Sequence, residues 1–142
     1  MPRILAFLSF LALVWGLSVQ AGELTPLNTE AVNTLSAQGA LLVDIRTPAE
    51  WKATGVIPGS HLQTFFDGEG RFDLPAFANA LNQFSPDSSK PIVLVCRSGH
   101  RSEEAGKLLA ALWPDRRILH LDHGIKAWKG EGRPTIPPQV SP

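Results

Sequence analysis

The chain has one cysteine, no excess charge of either sign and no internal repeat. One cysteine cannot close an internal disulfide. Thirteen Lys+Arg balance thirteen Asp+Glu, so there is no electrostatic case for nucleic acid or for an anionic membrane surface as partner. The apolar run at residues 4–19 falls short of the ~20 residues a spanning helix needs, and Ser9, Gly16 and Ser18 soften it. It follows Arg3 and ends at Val19-Gln20-Ala21, a small-x-Ala pattern. We therefore expect residues 1–21 to be a signal peptide cleaved before Gly22, with an uncleaved anchor as the alternative. Either way the folded part is expected to be exported. An unpaired cysteine in an oxidising compartment is either buried and inert or kept for its reactivity.

What is present suits one domain of moderate size, with 142 residues and a hydrophobic fraction of 44%. We place it at 22–132, followed by a Pro-rich tail at 133–142 expected to be disordered. Glu23 to Leu27 suggests a short edge strand. Asn28 or Thr29 can cap a helix carrying Ala31, Val32 and Leu35, stopped at Gly39. Ala40 to Arg46 reads as a buried strand ending in charge. Thr47-Pro48-Ala49-Glu50 is a capping box with proline at the first helical position, starting a short helix that carries Trp51. A turn at Pro58-Gly59 precedes another short strand, and Phe65 to Phe72 is loop-like. Leu74, Phe77, Leu81 and Phe84 recur at helical spacing and mark a core stripe. Ile118 to Leu121 is a last strand. Strands alternating with helices predict an α/β fold: a central parallel sheet of about five strands, with helices on both faces.

Ile92-Val93-Leu94-Val95 predicts a buried strand that delivers Cys96 to its carboxyl end. Arg97, Ser98, Gly99, His100 and Arg101 follow, and a helix is expected from Ser102 with Ala105, Leu108, Leu109 and Leu112 on one face. Strand, tight loop and helix together point backbone N–H groups at one spot, backed by the positive end of a helix dipole. Those groups stabilise a thiolate, the nucleophilic form of cysteine. Gly99 allows a tight turn and Ser102 is a candidate helix cap and donor to the sulfur. Ligands of parallel α/β sheets bind at the carboxyl ends of strands. Asp44 and Arg46 lie at such an end too, and we expect them to form an ion pair bracing the loop. His120, Asp122 and His123 make too small a cluster to predict a metal site.

Cys96-Arg97-Ser98-Gly99-His100-Arg101-Ser102 resembles the Cys-x4-Arg active-site loop of rhodanese (sulfurtransferase) domains. Val43-Asp44-Ile45-Arg46 with Pro48, Glu50 and Trp51, then Ile57-Pro58-Gly59-Ser60-His61, is similar to the family's N-terminal signature. Gly124-Ile125-Lys126-Ala127-Trp128 is similar to its C-terminal one. The chain departs at Ser60-His61, where the family usually has Ala and Asn, and at His123-Gly124, where it usually has Gly-Gly. The resemblance implies a three-layer rhodanese fold and no cofactor. It implies Cys96 as nucleophile, forming a persulfide with a donor such as thiosulfate and passing the sulfur to cyanide or a thiol, including a thiol on a protein. It also implies that the residues 97–102 bind substrate, with Arg101 pointing into the cradle and holding the donor's sulfonate. With the short signal it implies a bacterial, periplasmic protein, without stable membrane association if the signal is cleaved. Two alternatives share the loop. A cysteine phosphatase or arsenate reductase of related fold has Cys-x5-Arg, one residue longer than Cys96-x4-Arg101. A persulfide carrier or binding module for a protein partner would use the same Cys96 chemistry.

Overall fold

The computed structural model describes residues 22–139; the expected signal peptide lies outside the described residues. The elements alternate as expected: β1 (Leu24–Leu27), α1 (Thr29–Ala37), β2 (Leu41–Asp44), α2 (Pro48–Thr54), β3 (His61–Leu62), α3 (Leu74–Phe84), β4 (Ile92–Val95), α4 (His100–Leu112), β5 (Ile118–Leu121) and α5 (Gly124–Gly130). The strands lie in the order β1-β5-β4-β2-β3, and every neighbouring pair is parallel. β4 is therefore central, between β2 and β5.

β2, β4 and β5 are buried at every position, as a sheet covered on both faces requires. Alternate residues sort onto the two faces. Leu41, Val43, Ile92, Leu94 and Ile118 pack with Phe77 and Leu81 of α3 and Ala105 and Leu109 of α4. Leu42, Val93, Leu119 and Leu121 pack with Val32 of α1 and Ile125 and Trp128 of α5. At about 1.5–3 kcal/mol for each fully buried aliphatic side chain, these two layers supply most of the drive to fold.

The caps follow the sequence signals. Asn28 accepts the Ala31 amide at 2.8 Å and Asp73 the Ala76 amide at 2.9 Å, while Thr47 and Glu50 complete the capping box of α2. The helix after Cys96 differs from expectation. It begins at His100, and Gly99, with φ of 103°, occupies the cap position without a side-chain hydrogen bond. Ser102 is thus not the cap; it lies inside the first turn.

The Pro-rich stretch also departs from expectation, because its first part is tied to the domain. Val56 and Ile136 exchange two backbone hydrogen bonds at 2.9 Å, and the Trp128 indole donates to the Pro134 carbonyl at 2.8 Å. Arg133 pairs with Glu30 at 2.8 Å and stacks over the Trp128 ring. A chain ending at Gly132 loses all of these bonds. It should be less stable by about 2–3 kcal/mol, lowering the thermal midpoint by roughly 5–10 °C, as calorimetry of the two lengths would show.

Candidate active site

Cys96 directly follows β4, and its side chain continues the inward row of Ile92 and Leu94 toward α4. The residue is 1% exposed. A position outside the apolar run is where the sequence places it; strand parity turns it inward instead, to the floor of the loop. Sγ accepts the Gly99 amide at 3.1 Å and the Ser102 amide at 3.4 Å, and donates to the Ser102 hydroxyl at 3.4 Å.

The first two carbonyls of the loop are held by α5. Ile125 donates to the Cys96 carbonyl at 2.9 Å and Lys126 to the Arg97 carbonyl at 3.1 Å. In a trans peptide the next N–H points opposite to the carbonyl, so the Arg97 and Ser98 amides face away from α5. The approach is close: a Cβ on Gly124 would lie 2.5 Å from both carbonyl oxygens. His123, which stands where the family usually has glycine, is in the left-handed region at φ 41°. That conformation is one glycine adopts without strain.

Arg101 does not hold an empty cradle. Its guanidinium grips Glu50 through two bonds, at 2.9 and 2.6 Å. The Arg101 hydrogen bonds hold the Glu50 carboxyl down at about 2, against the opposing effect of partial burial. Arg101 is pushed up in turn, first by Glu50 and further by Cys96 and Asp44. An internal carboxylate thus occupies the Arg101 fork, a partner the sequence reading of Arg101 as a sulfonate holder did not include. Glu50 also accepts the Thr47 amide at 3.0 Å, so one carboxylate caps α2 and anchors the loop. Its capping role is legible in the sequence and its hold on Arg101 is not.

Asp44 and Arg46 form the expected strand-end ion pair, at 2.7 Å, and both are buried. Arg46 also donates to the Gly55 carbonyl at 2.9 Å and the Thr54 hydroxyl at 2.7 Å, and the Trp51 indole donates to Asp44 at 3.1 Å. The pair thus fastens α2 beside the loop. Arg97, Ser98 and His100 are exposed on the loop's outer side. His120, in contrast, is buried, with Nδ1 3.0 Å from the Ser102 hydroxyl. Sequence reasoning missed that role. The available signal was parity along β5, which sets His120 beside Leu94. His123 is 82% exposed, apart from His120.

A parallel α/β domain with a cysteine nested in amides at the start of a helix defines a class of covalent-transfer domain. Comparison with known proteins makes the assignment narrower. The model of the Rhodanese-like domain matches residues 27–131, and the chain belongs to that family. It is 34% identical over 102 residues to a sulfurtransferase of Allochromatium vinosum, covering 72% of this chain and 83% of that one. It is 33% identical over 103 residues to the adenylyltransferase and sulfurtransferase MOCS3 of Drosophila persimilis, covering 72% of this chain but 22% of that longer protein. The fold matches the solved thiosulfate sulfurtransferase of Pseudomonas aeruginosa with a TM-score of 0.66 at 21% identity, over 82% of this chain and 21% of that one.

Gly124→Ala forces a methyl group into the Cys96 and Arg97 carbonyls at a positive φ. It should destabilise the domain by at least about 2 kcal/mol in chemical denaturation. Glu50→Gln removes a paired carboxylate, costing about 1–2 kcal/mol at neutral pH. Because folding lowers the Glu50 pKa, its contribution is present above 4.5 and lost as pH falls toward about 2. Stability curves of wild type and Glu50→Gln should therefore converge across that acid range.

Proposed function

We propose that this domain is a sulfurtransferase that moves a sulfane sulfur from a donor such as thiosulfate to a thiophilic acceptor through a persulfide on Cys96. Membership of the rhodanese-like family and relatives named sulfurtransferase support the transferase class. The observation that carries the mechanism is the sulfur nested among the Gly99 and Ser102 amides in a Cys-x4-Arg loop. In the first step the Cys96 thiolate attacks the outer sulfur of the donor. An S–S bond forms on Cys96, the donor's S–S bond breaks, and sulfite leaves with the electron pair. In the second step an acceptor thiolate, or cyanide, attacks the terminal sulfur and Cys96 leaves as thiolate. This is covalent catalysis in two displacements. The loop amides stabilise the anionic sulfur in both. Arg97 and the free edge of the Arg101 guanidinium meet the donor's charge, while Glu50 keeps Arg101 in place.

The same chemistry serves a persulfide carrier for a thiol-bearing protein, and turnover with excess small donor and acceptor separates the two. The loop's length argues for sulfur over phosphate. We also propose that the protein works in the periplasm, on the strength of the basic-then-apolar sequence of residues 1–21.

Incubation with thiosulfate should add the mass of one sulfur atom to the intact protein, and Cys96→Ser should abolish the gain. No adduct on wild type, together with hydrolysis of an aryl phosphate, would favour the phosphatase alternative.

A further inference from the structure

The Ser102 hydroxyl has three neighbours: the Gly99 carbonyl at 3.1 Å, His120 Nδ1 at 3.0 Å and Cys96 Sγ at 3.4 Å. Ser102, His120 and Cys96 are 0%, 4% and 1% exposed. A hydroxyl donates one proton. If it donates to Gly99 or to His120, it can only accept from the sulfur, which holds Cys96 as a thiol. For the thiol to become a thiolate to which the hydroxyl donates, a proton must leave on the other side, and His120 is the titratable group on that side. His100, next to the loop, is exposed and makes no such contact among the described hydrogen bonds.

We propose that His120 is a positioning residue for the Cys96 nucleophile, accepting its proton through the Ser102 hydroxyl. The S–H bond breaks and leaves its electron pair on Sγ, while the proton bonds to Ser102 Oγ. The proton already on Oγ moves to His120 Nδ1. The hydroxyl is restored, and a thiolate faces an imidazolium across it. The thiolate then receives the Gly99 amide, the Ser102 amide and the Ser102 hydroxyl.

The surroundings of His120 permit this. Asp122 just after β5 and Glu103 on α4 favour the imidazolium and Lys107 on α4 opposes it. Its cross-strand neighbours, Pro26 on β1 and Leu94 on β4, do not titrate. Burial holds the imidazole below its ordinary value, which keeps His120 neutral at rest and opposes the imidazolium. The thiolate itself supplies the negative charge that stabilises the imidazolium. Arg101 is the cation on the sulfur's other side.

The purpose of this relay rests on the sulfur-transfer reading, but its test uses no sulfur donor. With one cysteine and no tyrosine in the chain, the ultraviolet thiolate band reports Cys96 alone once a Cys96→Ser baseline is subtracted. His120→Asn keeps a polar group beside Ser102 that cannot take up the proton. The titration of the full chain carrying it should move up by about one pH unit, meeting the wild-type curve at high pH. Ser102→Ala should move in the same direction, and the double variant no further. Coincident wild-type and His120→Asn curves overturn the proposal and leave the persulfide mechanism standing. A shifted curve in a protein that gains no sulfur from thiosulfate overturns the mechanism alone. Should the Asn variant fail to fold, histidine ring NMR of wild type and Cys96→Ser replaces it. Loss of the sulfur should lower the His120 midpoint, and an unchanged midpoint overturns the relay.

Discussion

The carbonyls of Cys96 and Arg97 are taken by the amides of Ile125 and Lys126, at the start of α5. Each bond is worth about 1 kcal/mol net, a small part of the stability. Its consequence is geometric. Peptide planarity converts a held carbonyl into an aimed N–H on the opposite side, so two bonds to one helix turn the Arg97 and Ser98 amides away from it and fix the start of the loop. The arrangement joins the β4–α4 and β5–α5 turns into one unit. It works only because Gly124 has no side chain at the contact. A sheet in which β4 and β5 are adjacent parallel strands brings the two turns to the same edge.

Charge around the loop is arranged in closed pairs. Asp44 and Arg46 neutralise each other below the surface, and Glu50 and Arg101 do so at the rim. A buried pair is not a strong source of stability, because desolvation offsets the attraction. Removing one member is nevertheless expensive, since the other is left unpaired. These pairs therefore act as fixtures: Asp44 with Arg46 and Trp51 sets α2, and Glu50 on α2 sets Arg101. The chain of contacts runs from the end of β2 to the rim of the loop without passing through Cys96. The Arg101 guanidinium at the rim thus has its charge already shared with Glu50.

Much of this was legible in the sequence because the signals are local. The strands are short apolar runs between turn residues, and Asn28, Thr47 and Asp73 cap helices within three residues of themselves. The Asp44–Arg46 pair spans two residues. The features that escaped are set by register between distant segments. Arg101 meets Glu50 across 51 residues and Ser102 meets His120 across 18. Thr135 donates to the Thr54 carbonyl across 81, part of the attachment of a tail read as disordered. Cys96 is an intermediate case. Its place at a strand end was legible, but its burial follows from parity with Ile92 and Leu94, as the inward face of His120 follows from parity with Ile118. Composition around a residue says less about its burial than the face it shares.

Burial of Cys96 need not make it inert. An inert buried cysteine packs among apolar atoms, which penalise the thiolate without compensation. Here Sγ also has two amides directed at it and a hydroxyl alongside. Hydrogen bonds to a charged group contribute about 1.5–3 kcal/mol each, and they offset part of the several kcal/mol that burying an ion costs. A third donor offsets more. The Ser102 hydroxyl can be that donor only when it is released from donating to Gly99 or His120. On the proposed relay, the direction of that hydroxyl is a choice between favouring the thiol and favouring the thiolate. Low local polarity makes that choice sharper, because it strengthens each hydrogen bond that is made and penalises each one that is missing.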